Sequence, residues 1–214
     1  MPRQKPTPPT LVLLVRHGQT PTTGKHLPGR APGLHLSEEG QRQAELAAKR
    51  IAELPHVDAV YSSPLERARE TAAPIAAARG LKVQIDKGLL ECDFGQWTGG
   101  ELKELMKKPE WTTVQRYPSG FRFPDGESFS EMQTRMGACL ERLRSRHPGG
   151  VLVAVSHADT IKAAVTQAMG AHLDLFQRTA ISTCSITAIA YATNGPMVLT
   201  VNSTGGSLAE LRPS

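Results

Sequence analysis

Apolar positions along this chain fall in short blocks that switch between strand and helix spacing. Leu11–Val15 is an unbroken run of branched residues ending at Arg16-His17-Gly18, which reads as a buried strand feeding a loop. Ser37-Glu38-Glu39 then opens a helix to about Leu54, with Leu46, Ala47, Ile51 and Leu54 at helical spacing. Val57–Tyr61 predicts a second strand, Ser62–Ser63 a loop, and Pro64 the first turn of a helix to about Arg79, which Gly80 ends. Lys82–Ile85 is a third strand, and Leu89–Gly100 is irregular. Glu101–Lys108 reads as helical, followed by a Pro/aromatic connection from Pro109 to Pro124. Ser128 or Asp125 caps a helix from about Phe129 to Arg146. Val151–Val155 is a buried strand ending at Ser156-His157, and Thr160–Met169 is a helix stopped by Gly170. Ser182–Ala192 and Met197–Val201, around Asn194-Gly195, read as a hairpin.

Strands alternating with helices predict a three-layer α/β/α sandwich whose central sheet is mostly parallel, with an antiparallel edge strand. Residues 1–10 read as a flexible Pro-rich tail and 11–214 as one domain, with no internal repeat or linker. The connection after the first strand is dense in breakers (Pro21, Gly24, Pro28, Gly29, Pro32, Gly33), and a loop that long is often functional.

Composition narrows the classes. The 214 residues are long enough for a sizeable core, and their 39% hydrophobic content, before glycine is added, is that of a globular chain. No apolar run approaches the ~20 residues of a membrane helix, so no membrane partner is expected. The net charge is +5, but Arg3 and Lys5 in the N-terminal segment supply two of those charges. The rest is dispersed, which favours anionic small molecules over nucleic acid. Three scattered cysteines (Cys92, Cys139, Cys184) form neither a disulfide framework nor a metal knuckle. They fit a reducing cytoplasm, and the N-terminus lacks the apolar stretch of a signal peptide.

In such folds ligands gather at the carboxyl ends of the strands, where this sequence places two histidines, His17 and His157. Arg16 adds a planar cationic fork suited to phosphate or carboxylate. Gly18 allows close backbone approach or positive φ. Arg67, one turn into a helix, leans back towards the strand ends, while Arg69 points away to solvent. His26 and Arg30 lie on the long loop within reach of a ligand. His35, His56, His147 and His172 read as solvated. Cys92 reads as core filler, Asp125–Glu127 as helix capping, and Trp97, Trp111, Phe121 and Phe123 as core or lid packing.

Arg16-His17-Gly18-Gln19-Thr20 resembles the signature of the histidine phosphatase superfamily, the phosphoglycerate mutase-like proteins, and the resemblance runs from Leu11 to about Ser203. Five further segments follow in the family's order. They are Leu36–Gly40 with Gln43-Ala44, Ser62–Ala72 carrying Arg67, Leu90–Gly99 carrying Glu91, and Pro124–Ser128 with Val155-Ser156-His157-Ala158 after it. The resemblance implies that His17 attacks phosphorus to form a phosphohistidine, with its other ring nitrogen donating to a backbone carbonyl. Arg16, Arg67 and His157 would surround the phosphoryl oxygens, with Ala158 adding its backbone N–H at a helix start. Gln19, Thr20, Thr23 and Gly29 would make further substrate contacts. Thr23 stands where many relatives carry Asn, and Gln19 where phosphatases commonly carry Glu.

Glu91 would protonate the leaving oxygen and then activate water, a task that requires a raised pKa; Asp93 is the competing acid. No metal or other cofactor is implied, because the cations do the work of Mg²⁺. A zinc site from His17, Glu91 and His157 is disfavoured by Arg16 and Arg67. The expected activity is hydrolysis of a small phosphorylated metabolite. The alternatives are a phosphoglycerate mutase-type phosphomutase, or a catalytically silent binding protein of the same fold. Mutases of the family carry an Arg pair after the acid, whereas Lys103–Arg122 offers only Lys107-Lys108, Arg116 and Arg122. The terminal hairpin leaves an edge strand on which a homodimer could form.

Overall fold

A computed structural model describes residues 8–208 and 211. Four of its strands, β1 (Thr10–Arg16), β2 (Ala59–Ser62), β3 (Val83–Ile85) and β4 (Val151–Ser156), pair in parallel in the order β3-β2-β4-β1. β5 (Ile186–Ala192) joins β1 antiparallel, and β6 (Gly195–Ser203) closes the six-stranded sheet by antiparallel pairing with β5. The strand that runs against the others is therefore β5, one in from the edge, with β6 forming the edge itself.

Alternation along β1 divides the core between the two faces of the sheet. Leu11, Leu13 and Val15 pack with Ile51 of α1 (Glu38–Ala52) and with Ala68, Ala72 and Ile75 of α2 (Glu66–Ala77). Val12 and Leu14 face the opposite layer. That layer places the helix Phe129–Arg146 and the helix Ala158–Ala168 against the sheet through Met136, Leu140, Leu143, Ile161 and Val165. Period-two burial on a parallel sheet covered on both sides is what an all-apolar β1 requires. Between β3 and the long helix lie two short helices, α3 (Leu102–Leu105) and α4 (Trp111–Arg116). The helix Phe129–Arg146 is thus α5 and Ala158–Ala168 is α6. Among the described residues, no helix is long and apolar enough to cross a membrane.

Several expectations need correction. β1 starts at Thr10, inside the segment expected as tail, because the Thr10 hydroxyl donates to the His147 carbonyl (3.2 Å) and accepts from the Gly149 N–H (3.0 Å); residues 1–7 of that segment lie outside the described residues. Leu46 is exposed, since the buried stripe of α1 runs through Ala44, Ala47, Ala48 and Ile51 and leaves Leu46 off it. The helix expected over Glu101–Lys108 shrinks to the single turn of α3. The supposed connection after Pro109 instead contains α4, which buries Val114 and half-buries Trp111.

The aromatic residues of this region form a third cluster beneath the strand ends. Trp97, Phe121, Phe123 and Phe129 meet mostly edge to face, with Phe94–Phe123 and Phe121–Phe123 centroids both 4.9 Å apart. Phe123 touches four of these rings and is 1% exposed. Phe123→Ala is expected to cost about 3–5 kcal/mol of stability, read from urea denaturation, because the rings around it cannot collapse into the gap.

Candidate active site

The carboxyl ends of β1 and β4 bring His17 and His157 together, with ring centroids 5.2 Å apart. Both rings are buried. The turn that carries His17 is fixed by a close backbone crossing. A Cβ on Gly18 would fall 2.6 Å from the Gly40 carbonyl oxygen, and one on Gly40 would fall 2.0 Å from the Gln19 carbonyl oxygen. Close approach, rather than positive φ, is therefore what requires glycine at position 18. The Gly18 N–H donates to Thr71 Oγ1 (2.9 Å), whose hydroxyl donates back to the Arg67 carbonyl (2.7 Å). The nucleophile turn and α2 are thereby joined.

His17 Nδ1 donates to the Gly18 carbonyl oxygen at 2.8 Å, which leaves Nε2 as the unprotonated nitrogen that carries the lone pair. Arg67 has no exposed surface, and its guanidinium bridges the two rings. Its Nε donates to His17 Nε2 (3.3 Å), and its Nη2 reaches the Gly29 carbonyl (2.7 Å) and His157 Nδ1 (3.3 Å). His157 Nε2 bonds Ser63 Oγ at 2.8 Å. Burial first, and Arg67 second, hold both histidines well below the usual imidazole range, so both rings are neutral. Arg16 Nη1 donates to the Ile181 carbonyl (2.7 Å). Arg16 Nε and Arg67 Nη1 are buried and have no partner among the described residues, leaving two cationic N–H donors beside the nucleophilic nitrogen.

Arg16, His17 and Arg67 line the floor of a cavity of about 560 Å³, whereas His157, fully buried behind its contact with Arg67, does not line it. Glu91 also lines it, with its Oε1 accepting from the Cys92 N–H (2.9 Å). Burial, then the negative charge of Asp159, push the Glu91 carboxyl up to about 7 against the pull of Arg67 and Arg16. This is the direction that proton donation requires. Asp93 does not line the cavity; it bonds the Gly95 N–H and Arg30 instead.

Of the expected substrate contacts, Thr20, Thr23, Gly29 and Ala158 line the cavity and Gln19 does not. The Gln19 backbone is instead bound to α1, accepting from Ser37 N–H (2.9 Å) and donating to Gln43 Oε1 (3.0 Å). The Thr23 hydroxyl is engaged within its own loop, accepting from the Thr20 N–H (2.9 Å). His26 lines the cavity. Arg30 serves the acid loop: its Nε donates to the Glu91 carbonyl (2.8 Å) and its Nη2 to Glu127 (2.9 Å).

With the site's geometry established, comparison with known proteins decides its family. The family model described as histidine phosphatase superfamily (branch 1) matches residues 12–204. The chain belongs to the histidine phosphatase superfamily. It is 34% identical over 178 residues to phosphoserine phosphatase 1 of Hydrogenobacter thermophilus, covering 77% of this chain and 79% of that one. It is 30% identical over 183 residues to a probable phosphoglycerate mutase of Yersinia enterocolitica, covering 84% of each. A bifunctional protein of Mycobacterium tuberculosis is 35% identical over 201 residues, 92% of this chain, but the chain spans only 55% of that protein's length. Among solved structures, a phosphoserine phosphatase of Entamoeba histolytica in complex with phosphoserine aligns with a TM-score of 0.82 at 26% identity, covering 91% of this chain and 98% of that one.

Within this histidine phosphatase the sequence left several site residues unmarked. Ser63 and Thr71 lie in the Ser62–Ala72 segment, yet their contacts to His157 and Gly18 are visible only in three dimensions. Glu127, expected as a capping residue, bridges Arg30 and Arg135, and Arg135 in turn donates to the carbonyls of Gly88 (2.8 Å), Leu90 (2.9 Å) and Glu91 (3.2 Å). Capping of α5 falls to Ser128, in a capping box with Glu131. Two arginines thus clamp the Glu91 backbone through one carboxylate. Glu127→Gln removes the charge that unites them, with an expected loss of about 2 kcal/mol in unfolding free energy. Amide hydrogen exchange at Cys92 and Asp93 is expected to accelerate more than exchange in β1 or β4, which checks that the loosening is local.

Proposed function

We propose that this chain is a metal-independent phosphomonoester hydrolase of small phosphorylated metabolites, working through a phosphohistidine in the cytoplasm. The observation that carries this reading is the fixed tautomer of His17, whose unprotonated Nε2 accepts from Arg67 Nε and shares its cavity with two unpartnered guanidinium N–H groups and a protonatable Glu91. In the first step His17 Nε2 attacks phosphorus and the bond to the leaving oxygen breaks. The Glu91 carboxyl gives its proton to that oxygen. Arg16 and Arg67 take the charge of the transferring oxygens, and His157 Nδ1, protonated beside a phosphate dianion, adds a third donor. In the second step a water attacks phosphorus, the N–P bond breaks, and Glu91 takes the water's proton as phosphate forms.

Hydrolysis is favoured over phosphoryl exchange by the cover of the site. From the segment 101–123 only Leu102, Trp111 and Gln115 line the cavity. Lys107 pairs with Glu104, Arg122 with Glu131, and Lys108 lies over Trp97, so these cations are committed elsewhere. A bisphosphorylated intermediate would lack a second cation from this segment. Three free, buried cysteines suit a reducing compartment. Phosphoserine and phosphoglycerate esters, named for the relatives, are the first natural compounds to test.

Wild type is expected to hydrolyse an aryl phosphate in excess EDTA, and His17→Ala to lose roughly 10⁴-fold or more in kcat. Loss of wild-type turnover on chelation would overturn the metal-free mechanism, and undiminished turnover in the variant would overturn the nucleophile. The Glu91 carboxyl, raised to about 7, is protonated below that pH and ionised above it. For an alkyl phosphate, whose poor leaving group needs the proton, kcat/KM therefore falls as pH rises through about 7. An aryl phosphate, with its acidic leaving group, shows a shallower fall. Equal slopes would remove Glu91 from the role of acid.

A further inference from the structure

The mechanism above uses Glu91 but leaves unexplained a second carboxylate lining the same cavity. Asp159 is the second residue of α6, immediately beyond His157 and Ala158, and it lines the cavity with Glu91. Its side chain is only 17% exposed, as is that of Lys162, to which it is paired at 3.1 Å one turn along α6. Lys162 is itself held from the far side by Gln177 Oε1 (3.0 Å) and lies 5.6 Å from the Phe176 ring centroid. Asp159 is therefore fixed in place by a buttressed cation and does not swing freely in solvent. A carboxylate on a half-buried helix start beside a second, buried carboxyl is an unfavourable pairing when both are ionised.

Resting on the phosphatase reading, we propose that Asp159 is a positioning residue for proton transfer. Its fixed negative charge keeps the Glu91 carboxyl protonated before attack and draws a proton back from water after it, and Lys162 sets how strongly that charge is felt. The surroundings of Glu91 define the balance. Arg16 from β1 and Arg67 from α2 favour its ionised form, as does the Cys92 N–H, while burial and Asp159 from α6 oppose them. Arg30 and Arg135 grip its backbone carbonyl and not its carboxyl. The neutral rings of His17 and His157 complete the shell. Of the side-chain charges acting on Glu91, that of Asp159 is the largest. In the first step the proton leaves Glu91 for the departing oxygen as the N–P bond forms. In the second it arrives on Glu91 from the attacking water as the N–P bond breaks. A neighbouring anion keeps the proton on Glu91 until the leaving oxygen is ready to take it and favours recapture in the second step, so it suits a residue that must reload every cycle.

Two substitutions test this with opposite signs. Asp159→Asn removes the anion, and the alkaline limb of kcat/KM for an alkyl phosphate is expected to move to lower pH by about one unit. Lys162→Met removes the cation that offsets Asp159, and the limb is expected to move to higher pH. Asp159→Glu, which restores the charge, returns the limb towards wild type. A merely structural role would lower kcat without moving the limb, or would move it the same way in both variants, and either result overturns the proposal. Titration of ¹³C-carboxyl-labelled glutamate by NMR, with Glu91→Gln to assign the resonance, reads the same shifts without turnover. If wild type hydrolyses no phosphomonoester, the phosphatase reading fails. The NMR titration then still decides whether Asp159 governs Glu91, and an unmoved Glu91 resonance in Asp159→Asn rejects it.

Discussion

A guanidinium with no exposed surface must recover its lost hydration from the groups around it, and Arg67 does so from the parts that make the site. Its donors run to His17, to His157 and to the Gly29 carbonyl, so the ends of β1 and β4 and the long loop are held by one side chain. The helix that carries it is joined to the nucleophile turn through Thr71. Removing any of these partners would strand a buried cation, which is costly. Burial first, and this same charge second, keep both resting rings neutral and Nε2 of His17 nucleophilic. One buried cation thereby ties folding of the strand ends to the neutral state that the nucleophile His17 needs.

Against that arrangement the sequence is uneven in what it reveals. The strands could be read because β1 and β4 are unbroken branched runs, and a histidine immediately after such a run has few places to go. Arg67 was legible because one helical turn brings it back to the strand ends. The two-layer cover of the sheet follows from the alternating burial in β1. Leu46 misled because apolar character alone does not place a residue on the buried stripe. The helix α4 was hidden because Pro109 and a run of aromatics resemble a loop, while only packing of Trp111 and Val114 onto the aromatic cluster fixes a turn there.

Charged residues were the least legible. Asp159, Lys162, Glu127, Arg135 and Arg30 are all of a type that usually marks a solvated face, and nothing in local spacing distinguishes them from Arg42 or Glu141, which are exposed. Their roles arise from contacts between segments far apart in sequence. Arg30 reaches Glu127 across the acid loop, and Arg135 donates to the carbonyls of Gly88, Leu90 and Glu91. The family resemblance located the reacting groups, but not the clamp that aims the acid.

The division between floor and walls explains how such a site can keep its chemistry while changing its substrate. The floor comes from strand ends and the α2 helix, where Arg16, His17 and Arg67 are each anchored by a backbone carbonyl. The walls come from the loop around His26 and Leu27, from Phe94, Trp111 and Gln115, and from the segment Gln177–Ile181. A change in the walls alters the body of the ester without disturbing the phosphate end, because no wall side chain supplies a hydrogen bond to His17 or Arg67. Asp159 is the exception to this separation. It stands on the wall, yet its charge acts on the acid that serves the floor. A leaving group that approaches Asp159 or Lys162 would thus alter the proton affinity of Glu91 as it binds, coupling the identity of the ester to the readiness of its acid.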